Sequence, residues 1–169
     1  MVEVVVARMG VDSTSRAYVV ILQEKDGDRV LPIWIGQPEA ESIVMEMRHL
    51  RPSRPLTHDL CRSLIVGLGG TLRRVQVTRV EDNTYYAELH IVRDGELVQV
   101  DARPSDSIAI ALRLQAPIFA AEELLTDEDT APEDGEAPPA PPDASEFTAE
   151  QLKKYLEQLR PEDFGRFTP

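Results

Sequence analysis

The sequence lacks much of the chemistry on which several enzyme classes depend. Its single cysteine, Cys61, excludes an internal disulfide framework and a cysteine-based zinc cluster. The three histidines, His49, His58 and His90, do not have the spacing of a two-histidine zinc motif. No apolar run approaches the roughly 20 residues that cross a bilayer, and the first residues lack the basic region of a signal peptide. We therefore expect a cytoplasmic protein without a membrane span.

Nucleotide and hydrolase signatures are absent as well. The sequence has no glycine-rich phosphate loop after a strand, no nucleophile elbow and no zinc helix motif. Gly67 lies in the last turn of a predicted helix, and Gly69 and Gly70 follow that helix with the left-handed backbone that is typical of a helix end. Any catalytic site must therefore be assembled from residues that carry no standard motif.

Charge divides the chain into two parts. Lys and Arg number 18 and Asp and Glu 30, a net charge of −12. Residues 1–125 carry 14 − 18 = −4, and residues 126–169 carry 4 − 12 = −8. Lys25 is the only lysine in the first part, whose other basic residues are arginines suited to phosphate or carboxylate. Because a net negative charge repels a polyanion, we expect the acidic part to screen an arginine surface on the first part.

The acidic part predicts a linker and one helix. Residues 126–146 contain five prolines and eight acids and no apolar side chain larger than alanine, which is typical of a disordered linker. Residues 147–169 predict a short amphipathic helix with Thr148 as its N-cap. This helix is too short to fold alone, so we expect it to dock on the main domain, a second subunit or a partner. Its apolar stripe is Leu152, Tyr155, Leu156 and Leu159.

Residues 1–125 predict one α+β domain with mixed or antiparallel sheets packed against three helices. The order is three strands, two helices, three strands, one helix and one strand. Pro32 places its strand at a sheet edge or a bulge, and the third helix, apolar nearly all round, should be the most buried. Predicted strands are 2–8, 17–23, 29–35, 71–80, 84–92, 96–102 and 117–120, predicted helices are 37–49, 58–68 and 105–115, and a last helical turn is 122–125.

The start of the second helix is the first candidate site. Thr57 is a predicted N-cap, and the exposed N–H groups of a helix start attract phosphate. Arg54, just upstream, is positioned to clamp that phosphate, while His58 and Asp59 are candidates to orient water or a metal. The alternative is structural: Asp59 complements the helix dipole and Arg54 is a surface side chain.

The start of the third helix is the second candidate site. Asp101 ends a strand and Asp106 lies in the first helical turn, with Arg103 and Pro104 fixing the corner between them. Two carboxylates at a rigid turn can bind Mg²⁺ and leave room for phosphate oxygens. The alternative is that Asp101 pairs with Arg103 while Ser105 or Asp106 caps the helix. The functional interpretation of both sites is strengthened if folding brings them together.

The first helix and the strand before it add further candidates. Glu39, Ser42, Glu46 and His49 recur at helical spacing and form a polar stripe, which is either a solvated face or the source of a third acid. Trp34 is either a stacking surface for bases or an anchor for the core.

Four segments in order resemble the bifunctional nuclease domain of bacteria and plants. The resemblance covers about residues 1–125 and implies a compact α+β domain that cleaves both DNA and RNA. It includes both candidate sites, although it does not assign a role to any residue. The segments are LPIWIG at 31–36 with Glu39 and Ala40 after it, RPLTHDL at 54–60, DARPSDSIA at 101–109 and API at 116–118.

Two hypotheses follow for function. The first is a nuclease for DNA and RNA assisted by Mg²⁺ or Mn²⁺. The second is a non-catalytic oligomeric module that binds a protein or a small anionic ligand; the missing catalytic signature favours it. For the nuclease, the predicted catalytic residues are His58, Asp59, Asp101 and Asp106, the phosphate-binding residues are Arg54, Thr57, Arg103 and Ser105, and the metal ligands are Asp59, Asp106 and Glu39. Both hypotheses include a homo-oligomer.

Overall fold

A computed structural model describes residues 1–11 and 17–127. Most of the predicted acidic linker, from residue 128 on, and the whole terminal helix at 147–169 lie outside the described residues. The strands are β1 Val2–Val11, β2 Tyr18–Glu24, β3 Val30–Ile35, β4 Thr71–Glu81, β5 Thr84–Arg93, β6 Glu96–Ala102 and β7 Ile118–Ala120. The helices are α1 Gln37–Met47, α2 Thr57–Gly67, α3 Pro104–Leu114 and a 3-10 turn at Glu122–Leu124.

The seven strands form one mixed sheet in the order β3-β2-β1-β7-β4-β5-β6. The short β7 lies at its centre, antiparallel to β1 and parallel to β4, and so joins two antiparallel meanders. This arrangement confirms the α+β prediction. The edge position predicted from Pro32 is also confirmed, because β3 is an outer strand of the sheet.

Local sequence explains where the strands turn and the helices end. The β4–β5 turn has positive φ at Asp82 and Asn83, and the β5–β6 turn has it at Asp94 and Gly95. These are the residue types that tolerate the left-handed conformation of tight hairpins. Gly69, at φ 79°, follows α2 in the same conformation, as predicted.

The core lies between the sheet and the three helices. Helix α3 is the most buried, as predicted, with Ile108, Ala109 and Ala111 at 0% exposure. Helix α1 buries Ala40, Ile43 and Val44. Met47 and Leu50 continue the apolar rhythm of this helix in the sequence, but they are 38% and 41% exposed because the helix ends at Met47.

Two further predictions about single residues are corrected. Leu56, not Thr57, is the N-cap of α2, because Thr57 is already helical. Trp34 is 47% exposed and is not a core anchor, because the residues that alternate with it along β3, Leu31 and Ile33, are the ones buried in the core. Within residues 1–11 and 17–127, no helix has the length and apolar content that a membrane span requires.

Candidate functional site

The starts of α2 and α3 meet in the folded chain. His58 Nε2 lies 3.0 Å from Asp106 Oδ1, a contact between residues 48 positions apart. The two candidate corners are therefore one continuous site. The sequence alone left this juxtaposition open, because it depends on how α2 packs against α3.

Helix geometry places the two side chains. In α2 the backbone N–H of the N-cap, Leu56, donates a hydrogen bond to Asp59 Oδ2 at 2.9 Å. This contact fixes the first turn and projects His58 beside it. In α3 the N-cap is Arg103 and Pro104 occupies the first helical position, so Asp106 falls in the first turn facing α2.

Both ring nitrogens of His58 are engaged. Nδ1 lies 2.8 Å from Ser42 Oγ in α1, and Nε2 contacts Asp106. Because an ionised carboxylate can only accept, we assign the ring proton to Nε2, so that Nδ1 accepts from the Ser42 hydroxyl. The His58 side chain is 12% exposed and Ser42 is 5% exposed. His58 can therefore exchange a proton with a substrate only after one of these partners is displaced.

Arg103 forms ion pairs with Asp106 and Glu39 at the same corner and so connects α3 to α1. Its Nε and Nη2 donate to the two oxygens of Asp106 at 2.7 and 3.0 Å, and its Nη2 also lies 2.8 Å from Glu39 Oε1. Burial opposes the charge on Asp106, but the hydrogen bonds from Arg103 and His58 outweigh it and lower the pKa of that carboxyl. Asp106 is thus an anion that accepts from three N–H groups of Arg103 and His58, and Arg103 pairs with two carboxylates.

Arg113 makes the second ion pair of the site. Its Nε donates to Asp59 Oδ1 at 2.6 Å, and its Nη1 donates to the carbonyl oxygens of Ala109 and Ser42 at 2.9 and 3.3 Å. The Arg113 side chain is only 3% exposed. Burial opposes ionisation of Asp59, but the hydrogen bonds from Arg113 and the Leu56 N–H lower the pKa of Asp59 below its usual value.

Ser42 joins the two ion pairs. Its hydroxyl contacts His58, and its carbonyl oxygen accepts from Arg113. The polar stripe of α1 is therefore not a solvated face throughout, since Ser42 is buried at the centre of the site. Sequence reasoning did not select Arg113. The available signal was a single charge in the otherwise apolar second half of α3, from Ile108 to Leu114, because such a charge requires a buried partner.

A cavity of about 410 Å³ opens beside Asp59 and Arg113. Three arginines and two acids line it, so it carries a small positive excess. Arg51 donates to Glu46 at 2.5 and 3.1 Å, whereas no ion pair of Arg62 is found among the described residues. The lining residues are Glu46, Arg51, Pro52, Ser53, Pro55, Asp59, Arg62, Ser63 and Arg113.

The remaining predicted site residues lie outside this network. Arg54, Thr57 and Asp101 are exposed, and none makes a side-chain hydrogen bond or ion pair with another described residue. Asp101 stands opposite Glu88 on the β5–β6 ladder, so the alternative pairing of Asp101 with Arg103 does not form. Ser105 is 6% exposed, and a phosphate would reach its hydroxyl only after local rearrangement.

The predicted metal ligands do not form a metal-binding group. Within residues 1–11 and 17–127, no three His, Cys, Asp or Glu side chains are placed to hold one ion. Asp59 and Asp106 already accept hydrogen bonds at both oxygens, and Glu39 accepts from Arg103. Mg²⁺ requires oxygen ligands in nearly octahedral geometry. The arrangement of these residues therefore does not fit such an ion without displacing their present donors.

Comparison with known proteins gives the family. A family model described as "Bifunctional nuclease domain" matches residues 20–133. An uncharacterized protein of Mycobacterium tuberculosis (strain ATCC 25618 / H37Rv) is 41% identical over 164 residues, which cover 97% of this chain and 98% of that protein.

Two plant proteins are similar over the domain. Bifunctional nuclease 1 of Oryza sativa subsp. indica is 28% identical over 110 residues, 63% of this chain and 33% of the plant protein. Bifunctional nuclease 2 of Arabidopsis thaliana is 30% identical over 103 residues, 59% of this chain and 31% of the plant protein. The family match covers most of the domain in which His58, Asp59 and Asp106 meet, and this chain belongs to the bifunctional nuclease domain family.

Proposed function

We propose that this protein is a nuclease that hydrolyses phosphodiester bonds of DNA and RNA at the cavity beside Asp59. The observation that carries the proposal is the cavity itself, which is lined by three arginines and by the acids Asp59 and Glu46. Guanidinium groups match the geometry of phosphate oxygens and stabilise the charge that develops on them during hydrolysis. The printed names of the plant relatives point to the same chemistry.

The residues have distinct proposed roles. Arg62 and Arg51 bind the phosphate, because both line the cavity and Arg62 has no other described ion-pair partner. Asp59 accepts the proton of an attacking water, because it is ionised and lies at the cavity. The water oxygen bonds to phosphorus, the bond from phosphorus to the leaving oxygen breaks, and a proton from solvent neutralises that oxygen. Arg113 holds Asp59 in position. His58, Ser42 and Asp106 position the first turn of α2, and a proton transfer by His58 would follow displacement of one ring contact.

Nuclease assays with matched variants test this proposal. We expect purified protein to cleave single- or double-stranded DNA or RNA, and Arg62→Ala to lower kcat/KM about tenfold, equivalent to about 1.4 kcal/mol. Arg73→Ala is the matched control, since Arg73 is an exposed arginine on β4 that does not line the cavity. Equal loss in both variants, or activity untouched by Arg62→Ala and Asp59→Asn, contradicts the assignment.

The dependence on Mg²⁺ or Mn²⁺ stays a prediction and has its own test. Cleavage is measured after treatment with EDTA and again after addition of each ion. Loss and recovery of activity would require the donors on Asp59 or Asp106 to be displaced, or ligands outside the predicted set to take part. The cytoplasmic location likewise stays a prediction.

A non-catalytic binding module is the second candidate function. The observation that favours it is that hydrogen-bond donors engage both oxygens of Asp59 and both oxygens of Asp106, which is the state of structural ion pairs as well as of a resting active site. A module of this kind binds a small anion or nucleotide in the cavity without turnover. Calorimetric binding of a mononucleotide that depends on Arg62, with no cleavage of any nucleic acid, would support the module.

A further inference from the structure

The charges that line the cavity beside Asp59 are almost balanced. Three arginines and two acids contribute, so the positive excess is a single charge. A surface that binds a polyanion through its total charge presents many more cations than acids. The two acids, Glu46 and Asp59, therefore limit the negative charge that a ligand can bring into the cavity.

Each acid is paired with one of the arginines. Arg51 donates to both carboxylate oxygens of Glu46 through Nη1 and Nη2. Arg113 donates through Nε to Asp59 and through Nη1 to two carbonyl oxygens. Arg62 is exposed and has no ion-pair partner among the described residues. The positive charge that a bound phosphate meets without a competing acid is therefore that of Arg62.

Glu46 carries its negative charge inside the cavity. Its side chain is only 12% exposed, whereas that of its partner Arg51 is 65% exposed. The hydrogen bond from Arg51 is the main cause that lowers the pKa of Glu46 below its usual value. The charges of Arg113 and Asp59 also act on Glu46, in opposite directions. Glu46 is thus an ionised carboxylate close enough to the Asp59–Arg113 pair to share one electrostatic environment with it.

Phosphate groups of nucleic acids differ in charge. A phosphodiester inside a strand carries one negative charge, and a phosphate monoester at a strand end carries about −1.5 to −2 at neutral pH. Attraction to a single positive excess about doubles for the dianion, but the cost of removing it from water grows with the square of its charge, about fourfold. A cavity with an excess of one positive charge therefore suits the monoanion.

We propose that Glu46 makes the cavity selective for the phosphodiester inside a strand and against the phosphate monoester at a strand end. With Glu46 ionised, the cavity and one diester have no net charge together. Without that acid the excess would be two positive charges, which suits a dianion. The inference rests on the proposed nuclease function and gives its site a substrate class, internal phosphodiesters.

The same selection acts on the products. Hydrolysis of an internal diester leaves a phosphate monoester on one of the two new ends, and Glu46 disfavours that end in the cavity. The product strand is therefore released rather than retained, and cleavage does not require a strand end. A Glu46 carboxylate only 12% exposed acts in this way without touching the phosphate, through its charge.

Two ligands that differ by one methyl group test the selection without turnover. They are thymidine 5′-monophosphate and its phosphate methyl ester, measured by calorimetry on the full-length chain in low salt at about pH 8, where the monoester is a dianion. We expect the methyl ester to bind about tenfold more tightly. Arg62→Ala should weaken binding of both ligands, because it removes the uncompensated charge.

Variants of Glu46 separate its charge from its packing. Glu46→Gln should remove or reverse the preference for the methyl ester, whereas Glu46→Asp, which keeps the charge, should retain it. Glu81→Gln is the matched control, because Glu81 also pairs with an arginine, Arg79, but is exposed and does not line the cavity. Circular dichroism spectra of the variants that match that of the wild type confirm that the fold is intact.

Cleavage of circular DNA is the second measurement. A circular single strand, which has no end, should be cut as fast as a linear strand of the same sequence that carries a 5′-phosphate. Equal affinities of the wild type for the two ligands, a preference that survives Glu46→Gln, or a circular strand that resists while the linear one is cut each overturn the selection and leave the nuclease proposal standing. A preference for the methyl ester that depends on Glu46, with no strand cut, supports the charge selection and contradicts the nuclease proposal instead.

Discussion

At the scale of single residues, Arg113 is the side chain that most constrains the site. It is a cation at 3% side-chain exposure, and Asp59 is the only carboxylate with which it pairs among the described residues. A buried charge that loses its partner destabilises a protein far more than the loss of a surface pair. The Asp59–Arg113 pair therefore links the position of α2 to that of α3 in any function of this chain.

Asp59→Asn should lower the free energy of unfolding by about 3 kcal/mol, because it leaves the Arg113 guanidinium buried without a counter-charge. Urea denaturation followed by circular dichroism measures the change. Asp94→Asn is the control: Asp94 pairs with Arg93 where both side chains are more than half exposed, so we expect a change within about 0.5 kcal/mol. Similar losses of unfolding free energy in the two variants would show that the Asp59–Arg113 pair stabilises the fold no more than a surface pair does.

Ser42→Ala should cost about 1–2 kcal/mol of unfolding free energy, because the Nδ1 atom of His58 loses its only described partner in a nearly buried position. Ser63→Ala is the matched control, since the Ser63 hydroxyl is exposed and donates only to the Asp59 carbonyl oxygen of its own helix. Equal unfolding midpoints for Ser42→Ala and wild type would mean that water replaces the serine hydroxyl without loss.

At the scale of elements, the hydrophobic pattern predicted every described strand and helix with boundaries close to those observed. The reason is physical: burial selects a period of two in strands and 3.6 in helices, and both periods are visible locally. The contacts of the site could not be predicted in this way. Ser42 and His58 are 16 residues apart and Asp59 and Arg113 are 54 apart, so their meeting depends on helix packing that no local pattern encodes.

The carboxylates that join α2 to α3 should make the stability of the fold fall at low pH. The pKa values of Asp59 and Asp106 are lowered in the folded state, so both stabilise the fold fully above the unfolded value of about 3.9 and lose that contribution as the pH falls through their folded values. The melting temperature should therefore fall from about pH 5 downwards. Asp106→Asn should flatten this fall while lowering stability at neutral pH.

Asp101→Asn is the control for this acid dependence. Asp101 is exposed on β6 and has no described side-chain partner, so its variant should follow the wild-type curve. Melting temperatures measured from pH 7 to pH 3 compare the three proteins. A wild-type curve that is as flat as that of Asp106→Asn would contradict the role of the carboxylates in joining the two helices.

At the scale of the whole molecule, negative charge is distributed unequally between residues 1–125 and residues 126–169. The cavity presents arginines in a domain that is nearly neutral, while residues 126–169 contribute −8 of the net −12. Sequence was sufficient to locate this asymmetry, because it is a property of composition. It was not sufficient to locate the cationic surface, since the arginines that line it come from the loop before α2, from α2 itself and from α3.

Neutralising the acidic segment should strengthen binding of nucleic acid. We compare the wild type with a full-length variant in which six acids become Asn or Gln, at Glu128, Asp129, Glu133, Asp134, Glu136 and Asp143. Because the segment repels or competes with phosphates, the variant should bind a fluorescent single-stranded oligonucleotide about tenfold more tightly at low salt, and the difference should shrink as salt screens the charges. Arg62→Ala in the same background should remove most of the gain, since it takes a guanidinium from the cavity. Equal affinities for wild type and the six-fold variant at low salt would show that the acidic segment does not control access to the arginine-lined cavity, and a gain insensitive to Arg62→Ala would place the nucleic acid elsewhere on the domain.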